Sequence, residues 1–294
     1  MDIVKNKKAQ YKPLVKSLVN HLLNNDYDGC EAVVNEALRM KLQPVEVYSH
    51  ILSAAMNSIG LLWKSEKISI AHEHLATQMI ASIVDMVADK STKHSSNGLK
   101  AVVATTTGET HWMGAKVFSK LLELDGWEVH YLGYDTPNID LVSYSYDKKA
   151  DIVVISIVRN SYLPDAIKVV KKLRNSTYSP TILVGGPPVK ESKELLKEEG
   201  VLVATDFISG MNILNDTFGF SGYFSTLEEI LVKIGVNIQN TRKSRAMSQM
   251  ELASIAGVDR AYISLVENGK QNITMSALHK FSEALGVSVI ALMQ

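Results

Sequence analysis

Residues 100–114 read KAVVATTTGETHWMG. A short run of small and β-branched apolar residues ends at Thr105, a glycine stands at 108, and a polar loop carrying Glu109 and His111 closes on Gly114. An apolar run this short, punctuated by glycine, is the pattern of a buried strand feeding a loop. The same grammar repeats C-terminally in WEVHYLG (127–133), DIVVISIV (151–158), PTILVGG (180–186) and VLVAT (201–205). Between these lie helical stretches, AKVFSKLLELDG (115–126), NIDLVSYSYDKK (138–149), LPDAIKVVKKLRN (163–175) and VKESKELLKEEG (189–200). Alternation at this spacing predicts a parallel sheet with helices on both faces. Near-continuous apolar strands agree, because such a sheet is buried on both sides. The expectation for residues 98–218 is a doubly wound, Rossmann-like α/β domain that binds its ligand at the carboxyl ends of the strands.

Outward from this block the pattern is helical on both sides. N-terminally, YKPLVKSLVNHLL, CEAVVNEALRM, VEVYSHILSAAMNSIGLLW and AHEHLATQMIASIVDMVA carry apolar residues at helical spacing, and KHSSNG (93–98) is a polar linker. Residues 1–92 are therefore expected to form an up-and-down four-helix bundle. C-terminally, GFSGYFST (219–226) reads as a boundary, and residues 226–294 as an all-helical domain. The chain thus divides into a helical bundle, an α/β domain and an all-α domain, as its 294 residues suggest.

Thirty-one basic and 31 acidic residues leave no net charge, so the chain as a whole advertises no nucleic-acid or membrane partner. One cysteine, Cys30, excludes an internal disulfide and a cysteine-rich metal site. No apolar run approaches the roughly 20 residues of a membrane span, and the N-terminus lacks a signal-peptide core. A cytoplasmic protein is expected.

His111 comes directly after the first strand, where this fold places its sites. Glu109, two residues earlier, is placed to accept the Nδ1 proton and leave Nε2 for a metal, a recurrent carboxylate–histidine–metal arrangement. Gly114 permits close approach of a bulky ligand to the backbone. These residues resemble the cobalamin-binding domain family, whose signature Asp-x-His-x-x-Gly, Ser-x-Leu/Thr and Gly-Gly reads here as Glu109-x-His111-x-x-Gly114, Ser156-Ile157-Val158 and Gly185-Gly186. The resemblance covers about residues 10–218, bundle included. It implies base-off, His-on binding of cobalamin. His111 would be the lower cobalt ligand, Glu109 and Ser156 a hydrogen-bonded relay to it, and Gly185 and Gly186 the lining of a slot for the nucleotide tail. Glu109 stands where aspartate is commoner, and Val158 where leucine or threonine is usual.

In the bundle, Trp63 is separated by nine residues from Glu73-His74. An indole offers flat apolar area, and a carboxylate offers acceptors to ribose hydroxyls. The spacing resembles the cobalamin-dependent photoreceptor regulators of the CarH type, which implies adenosylcobalamin as chromophore and a light-dependent change of assembly. Lys64 stands where that family carries a histidine, leaving His72, His74 or water to take the upper position after photolysis.

Residues 237–294 carry a third pattern. Ser248 and Glu251 form the sequence of a capping box, Gly257 suits a tight helix–helix turn, and Asp259 suits the cap of the next helix. SxxELAxxAGV with a downstream ISxxENG resembles the phage-repressor-like (XRE, Cro/C1-type) helix-turn-helix family. The resemblance implies a recognition helix from Asp259 to Asn268 in the major groove, with Arg260, Ala261, Tyr262 and Ser264 as its N-terminal and outward residues and Gln249 at a phosphate; Arg242 and Lys243, clustered with Arg245 at the end of the preceding helix, are further DNA-binding candidates. From Asn237 onward six basic residues face four acidic ones, so tight binding would need a dimer on paired half-sites of a double-stranded operator.

Taken together, these patterns lead us to expect a cobalamin-dependent transcription regulator, not an enzyme, that senses light through adenosylcobalamin and works as a homo-oligomer. Two alternatives stand beside it. One is a corrinoid methyl carrier, with methylcobalamin or hydroxocobalamin as its form. The other is a light-independent sensor of cobalamin level.

Overall fold

The structure is a computed structural model; it describes residues 2–176, 178–218 and 227–293. The segment 219–226, expected to be a domain boundary, lies outside the described residues. The chain forms two compact units, Met1–Met211 and Asn212–Gln294, and each is described by itself.

The first unit opens with helices α1 (Asp2–Leu23) and α2 (Tyr27–Arg39). Asp26 caps α2, its side chain accepting from Gly29 N at 2.9 Å. A short helix, α3 (Pro44–Glu46), runs through a π-helical turn, Val47–Leu52, into α4 (Ser53–Lys64). The additional residue in a π turn rotates the face of the next helix by about 100° relative to an uninterrupted helix. In that register Met56, Asn57 and Trp63 line a cavity. Tyr48, within the turn, is fully buried and donates from its hydroxyl to Val84 O of α5 (Ile70–Lys90) at 2.9 Å. Leu18, Val34, Ile51, Ile59 and Ile83 fill the bundle core.

The α/β part continues as β1 (Lys100–Thr105), α6 (Met113–Leu124), β2 (Glu128–Gly133), α7 (Asn138–Lys148), β3 (Ile152–Ser156), α8 (Leu163–Arg174), β4 (Thr181–Gly185), α9 (Lys193–Glu198), β5 (Leu202–Ala204) and α10 (Phe207–Phe218). All pairings are parallel, and the strand order is β2-β1-β3-β4-β5. This is the doubly wound fold expected from the alternating pattern. The order reverses between β1 and β3, so the crevice of the fold opens at the carboxyl ends of those two strands. Register sets those ends level: Thr105 pairs with Ser156, Ser156 with Gly185, and Gly185 with Ala204. The bundle meets the sheet layer through α5 on α6, where Asp85 accepts from Lys116 at 2.7 Å.

The second unit holds α11 (Leu227–Ser244), α12 (Gln249–Ala256), α13 (Arg260–Glu267), α14 (Met275–Leu285) and α15 (Val289–Met293). Its core is built on Ile238, Leu252, Ile263, Phe281, Leu285 and Leu292. The capping box forms as expected: Ser248 Oγ accepts from Glu251 N at 3.1 Å, and Ser248 N donates to Glu251 Oε2 at 2.6 Å. Gly257 ends α12 at φ 65°, a left-handed conformation that favours glycine. Asp259 occupies the cap position of α13 but makes no side-chain capping bond, unlike the expectation. Among the described residues no helix is long and apolar enough to cross a membrane.

Candidate functional site

The loop after β1 is tied on three sides. Thr105 Oγ1 donates to Glu109 O at 2.7 Å, Asp135 N donates to Thr105 Oγ1 at 3.0 Å, and Gly108 N donates to Asp135 Oδ1 at 2.7 Å. These bonds fix Glu109, whose side chain is 0 % exposed. Its Oε1 accepts from His111 N at 2.9 Å and faces His111 Nδ1 at 2.5 Å. Its Oε2 accepts from Val158 N at 2.9 Å and Arg159 N at 3.4 Å. Burial alone would raise the Glu109 carboxyl. The amides of Val158 and His111, with the imidazole, outweigh it and hold the group below the ordinary glutamate range. An ionised carboxylate accepts only, so Nδ1 carries a proton and Nε2 is the ring nitrogen left to face a ligand.

Ser156 was expected to complete a relay with Glu109. It is not among the partners of the carboxylate, whose second oxygen is occupied by backbone amides at the end of β3. The glutamate, one methylene longer than aspartate, reaches that turn directly. Ser156 instead lines a narrow slot of about 50 Å³ with Gly114, Gly185, Gly186 and Phe207. The slot requires small residues. A Cβ on Gly186, at φ 126°, would stand 1.8 Å from Ile157 O, and one on Gly114 would stand 3.1 Å from Ser156 Oγ.

His111 lines a cavity of about 700 Å³ between the bundle and the strand ends. Trp63, Glu73 and His74 line the same cavity, as do Gly114 and Val158. Trp63 is 43 % exposed, so its indole is not a core element. Glu73 Oε1 accepts from Thr77 Oγ1 at 2.9 Å, and Glu73 Oε2 lies 3.8 Å from His74 Nε2. Lys64 and His72 are exposed and outside the lining; His72 Nδ1 is 2.7 Å from Ser69 Oγ. Sequence reasoning missed Arg159 and Tyr134, both cavity-lining. Arg159 is the third residue past the end of β3, on the crevice side, which was the one available signal.

In the second unit Arg242 departs from its expected role. It is 7 % exposed, and Nε and Nη2 donate to Glu267 Oε1 and Oε2 at 2.6 and 2.9 Å, while Nη1 donates to Met247 O at 2.7 Å. A guanidinium committed in this way cannot reach a phosphate. Gln249, half-buried, also donates to Glu267 Oε2, at 2.8 Å. Lys243 is exposed, its Nζ donating to Gln239 Oε1 at 2.9 Å. Arg260 and Ala261 are exposed and Ser264 half-buried. Tyr262 leans into the core, its ring 6.1 Å from that of Phe281.

Residues 99–210 match the B12 binding domain, residues 14–87 match a second B12 binding domain, and residues 238–292 match the helix-turn-helix domain. Two B12-binding domains and a helix-turn-helix domain thus stand on one chain. The chain thus joins a cobalamin-binding domain to a helix-turn-helix domain. Among curated proteins it is 25 % identical over 183 residues to dimethylamine corrinoid protein 1 of Methanosarcina acetivorans, covering 61 % of this chain and 85 % of that one. It is 24 % identical over 188 residues to the trimethylamine corrinoid protein of Methanosarcina barkeri, covering 62 % and 87 %. Among solved structures, the monomethylamine corrinoid protein of Methanosarcina barkeri superposes with a TM-score of 0.58 at 18 % identity, over 70 % of this chain and 99 % of that one, which shows a shared fold.

The residues present suit a corrinoid. His111 offers a single nitrogen, which suits a metal already held in a macrocycle. The cavity volume lies in the range of cofactor pockets, about 300–1,000 Å³.

Proposed function

We propose that the chain is a transcription regulator that binds adenosylcobalamin in the base-off, His-on mode and responds to light by changing its assembly and its affinity for DNA. The observation that carries this reading is the shared cavity. His111, oriented by Glu109, and the Trp63, Glu73 and His74 edge line one space, in a chain that also carries a helix-turn-helix. When bound, adenosylcobalamin supplies a cobalt–carbon bond that visible light breaks.

In this reading His111 Nε2 would hold cobalt, and Glu109 would fix the tautomer and plane of the imidazole. Gly114, Ser156, Gly185 and Gly186 line the slot for the nucleotide tail. At about 50 Å³ that slot must widen to take a nucleotide base; Phe118 and Phe207 line it beside the glycines. Trp63 supplies apolar area to an adenosyl group, and Glu73 an acceptor to ribose. Arg260, Ala261 and Ser264 face bases, and Lys243 a phosphate. Two assembly states that differ in cofactor affinity would then differ in DNA affinity, and full switching needs about 5.5 kcal/mol of differential binding.

The corrinoid methyl-carrier reading is favoured by one observation: the curated relatives named above are methylamine corrinoid proteins. The helix-turn-helix favours the regulator. Full-length protein reconstituted with adenosylcobalamin or methylcobalamin, then compared as apo, dark and illuminated samples by gel shift and size exclusion, separates the readings. The proposal expects adenosylcobalamin to bind, and both size and DNA affinity to change on illumination. Identical dark and lit profiles that differ from apo would instead mark a light-independent cobalamin sensor. Binding of the methyl form alone would mark a carrier.

A further inference from the structure

Helix α13 divides sharply into inward and outward residues. Ile263, Val266 and Glu267 are buried, and Tyr262 packs toward Phe281. The outward set is Arg260, Ala261, Leu265 and Asn268, with Ser264 half-buried. Leu265 is the anomaly, because it is 42 % exposed on a helix whose core contacts are already supplied by Ile263 and Val266. Two neighbouring polar groups are committed locally. Asn268 Nδ2 donates to Ser264 O at 2.6 Å, and Leu265 O accepts from Lys270 N at 2.9 Å. Ala261 and Leu265, one helical turn apart, therefore form an exposed apolar pair on this face, beside the exposed Arg260.

The major groove presents one apolar group to such a face, the C5-methyl of thymine. Four residues along a helix span about 6 Å, close to two base-pair steps of about 3.4 Å. Arg260 is the single basic residue on the helix, so base readout here rests heavily on shape and apolar contact. We infer that Leu265 is a specificity-determining residue of the DNA reader, packing on the methyl group of a thymine in each operator half-site, with Ala261 facing a base about two steps away. This inference rests on the DNA-reading role of residues 238–292 and is independent of the cofactor.

The test uses full-length protein, apo and loaded with cobalamin, to select binding sites from a random duplex library. Each thymine of the enriched site is then replaced by deoxyuridine, which removes only the methyl group. Burial of one methyl-sized group contributes about 0.8 kcal/mol, or about fourfold in affinity. We expect one thymine per half-site at which the replacement weakens wild-type binding about fourfold. That sensitivity is lost in Leu265→Ala and kept in Leu265→Met, both of which change an exposed side chain and should melt like wild type. Indifference of wild type to every replacement would overturn the inference. So would undiminished sensitivity in Leu265→Ala, or a Leu265→Ala protein with intact DNA affinity and altered oligomeric size, which would mark a protein interface instead. Failure to enrich any site would overturn the DNA-reading role itself, and this inference with it.

Discussion

Glu109→Gln tests how the loop after β1 is held. The carboxylate is 0 % exposed and receives His111 N and Val158 N at 2.9 Å each, with His111 Nδ1 at 2.5 Å and Arg159 N at 3.4 Å. Every partner is a donor. A glutamine of the same shape must turn its amide nitrogen toward one of the two sets, setting donor against donor. A hydrogen bond to a charged group contributes about 1.5–3 kcal/mol, and a buried donor left unsatisfied costs about 1–3 kcal/mol. The substitution should therefore destabilise the larger unit by roughly 3–5 kcal/mol. In a unit of this size each kcal/mol moves Tm by about 2–4 °C, so calorimetry of the apo protein should show a fall of about 6–20 °C. Glu109→Asp should fall between, keeping the histidine and losing the amides of Val158 and Arg159. A Glu109→Gln protein melting within about 2 °C of wild type would refute this reading of the loop.

Two further predictions concern stability. Burial would raise the Glu267 carboxyl, but Arg242 and Gln249 outweigh it and hold it below the usual glutamate range; its stabilisation is present above about pH 4.3 and is lost as pH falls through the depressed folded value. Glu267→Gln, which strands Arg242 in the interior, should cost the second unit about 3–5 kcal/mol at pH 7, and an unchanged urea midpoint would contradict the pair's importance. Asp125 behaves in the opposite sense: burial pushes its carboxyl up to about 6, against a lowering by the Trp127 indole N–H, and one oxygen has no partner among the described residues. Below about pH 4 the group is protonated folded and unfolded alike and costs little, whereas above pH 6 its ionisation in the interior costs up to about 3 kcal/mol, so Asp125→Asn should stabilise the protein at pH 8 and not at pH 4; equal or lower stability at pH 8 would contradict this.

The parallel sheet was legible because strands buried on both faces are apolar throughout, and Ser156, Gly185 and Thr105 fall level once the strands pair in order. The capping box at Ser248 and Glu251 was legible because both partners are local. Contacts between side chain and distant backbone were not. Glu109 meets Val158 N, 49 positions away, and an amide leaves no mark in a sequence, so the relay was assigned to Ser156 by resemblance. Arg242 looked like a surface cation among Lys243 and Arg245, and only the folded chain brings Glu267 to it, 25 positions on. The π turn at Val47–Leu52 was invisible for a different reason. One additional residue per turn scarcely alters the apolar spacing, yet it fixes the register in which Met56, Asn57 and Trp63 line the cavity.

Ligation of cobalt by His111 is tested most directly by electron paramagnetic resonance of the bound cofactor reduced to cobalt(II), in protein grown with nitrogen-15 histidine and loaded with unlabelled cobalamin. Ligation by His111 predicts that each cobalt line splits into a doublet, from the labelled imidazole, and that the doublet is absent in His111→Ala. A triplet in the wild-type protein, from the cofactor's own unlabelled base, would contradict it.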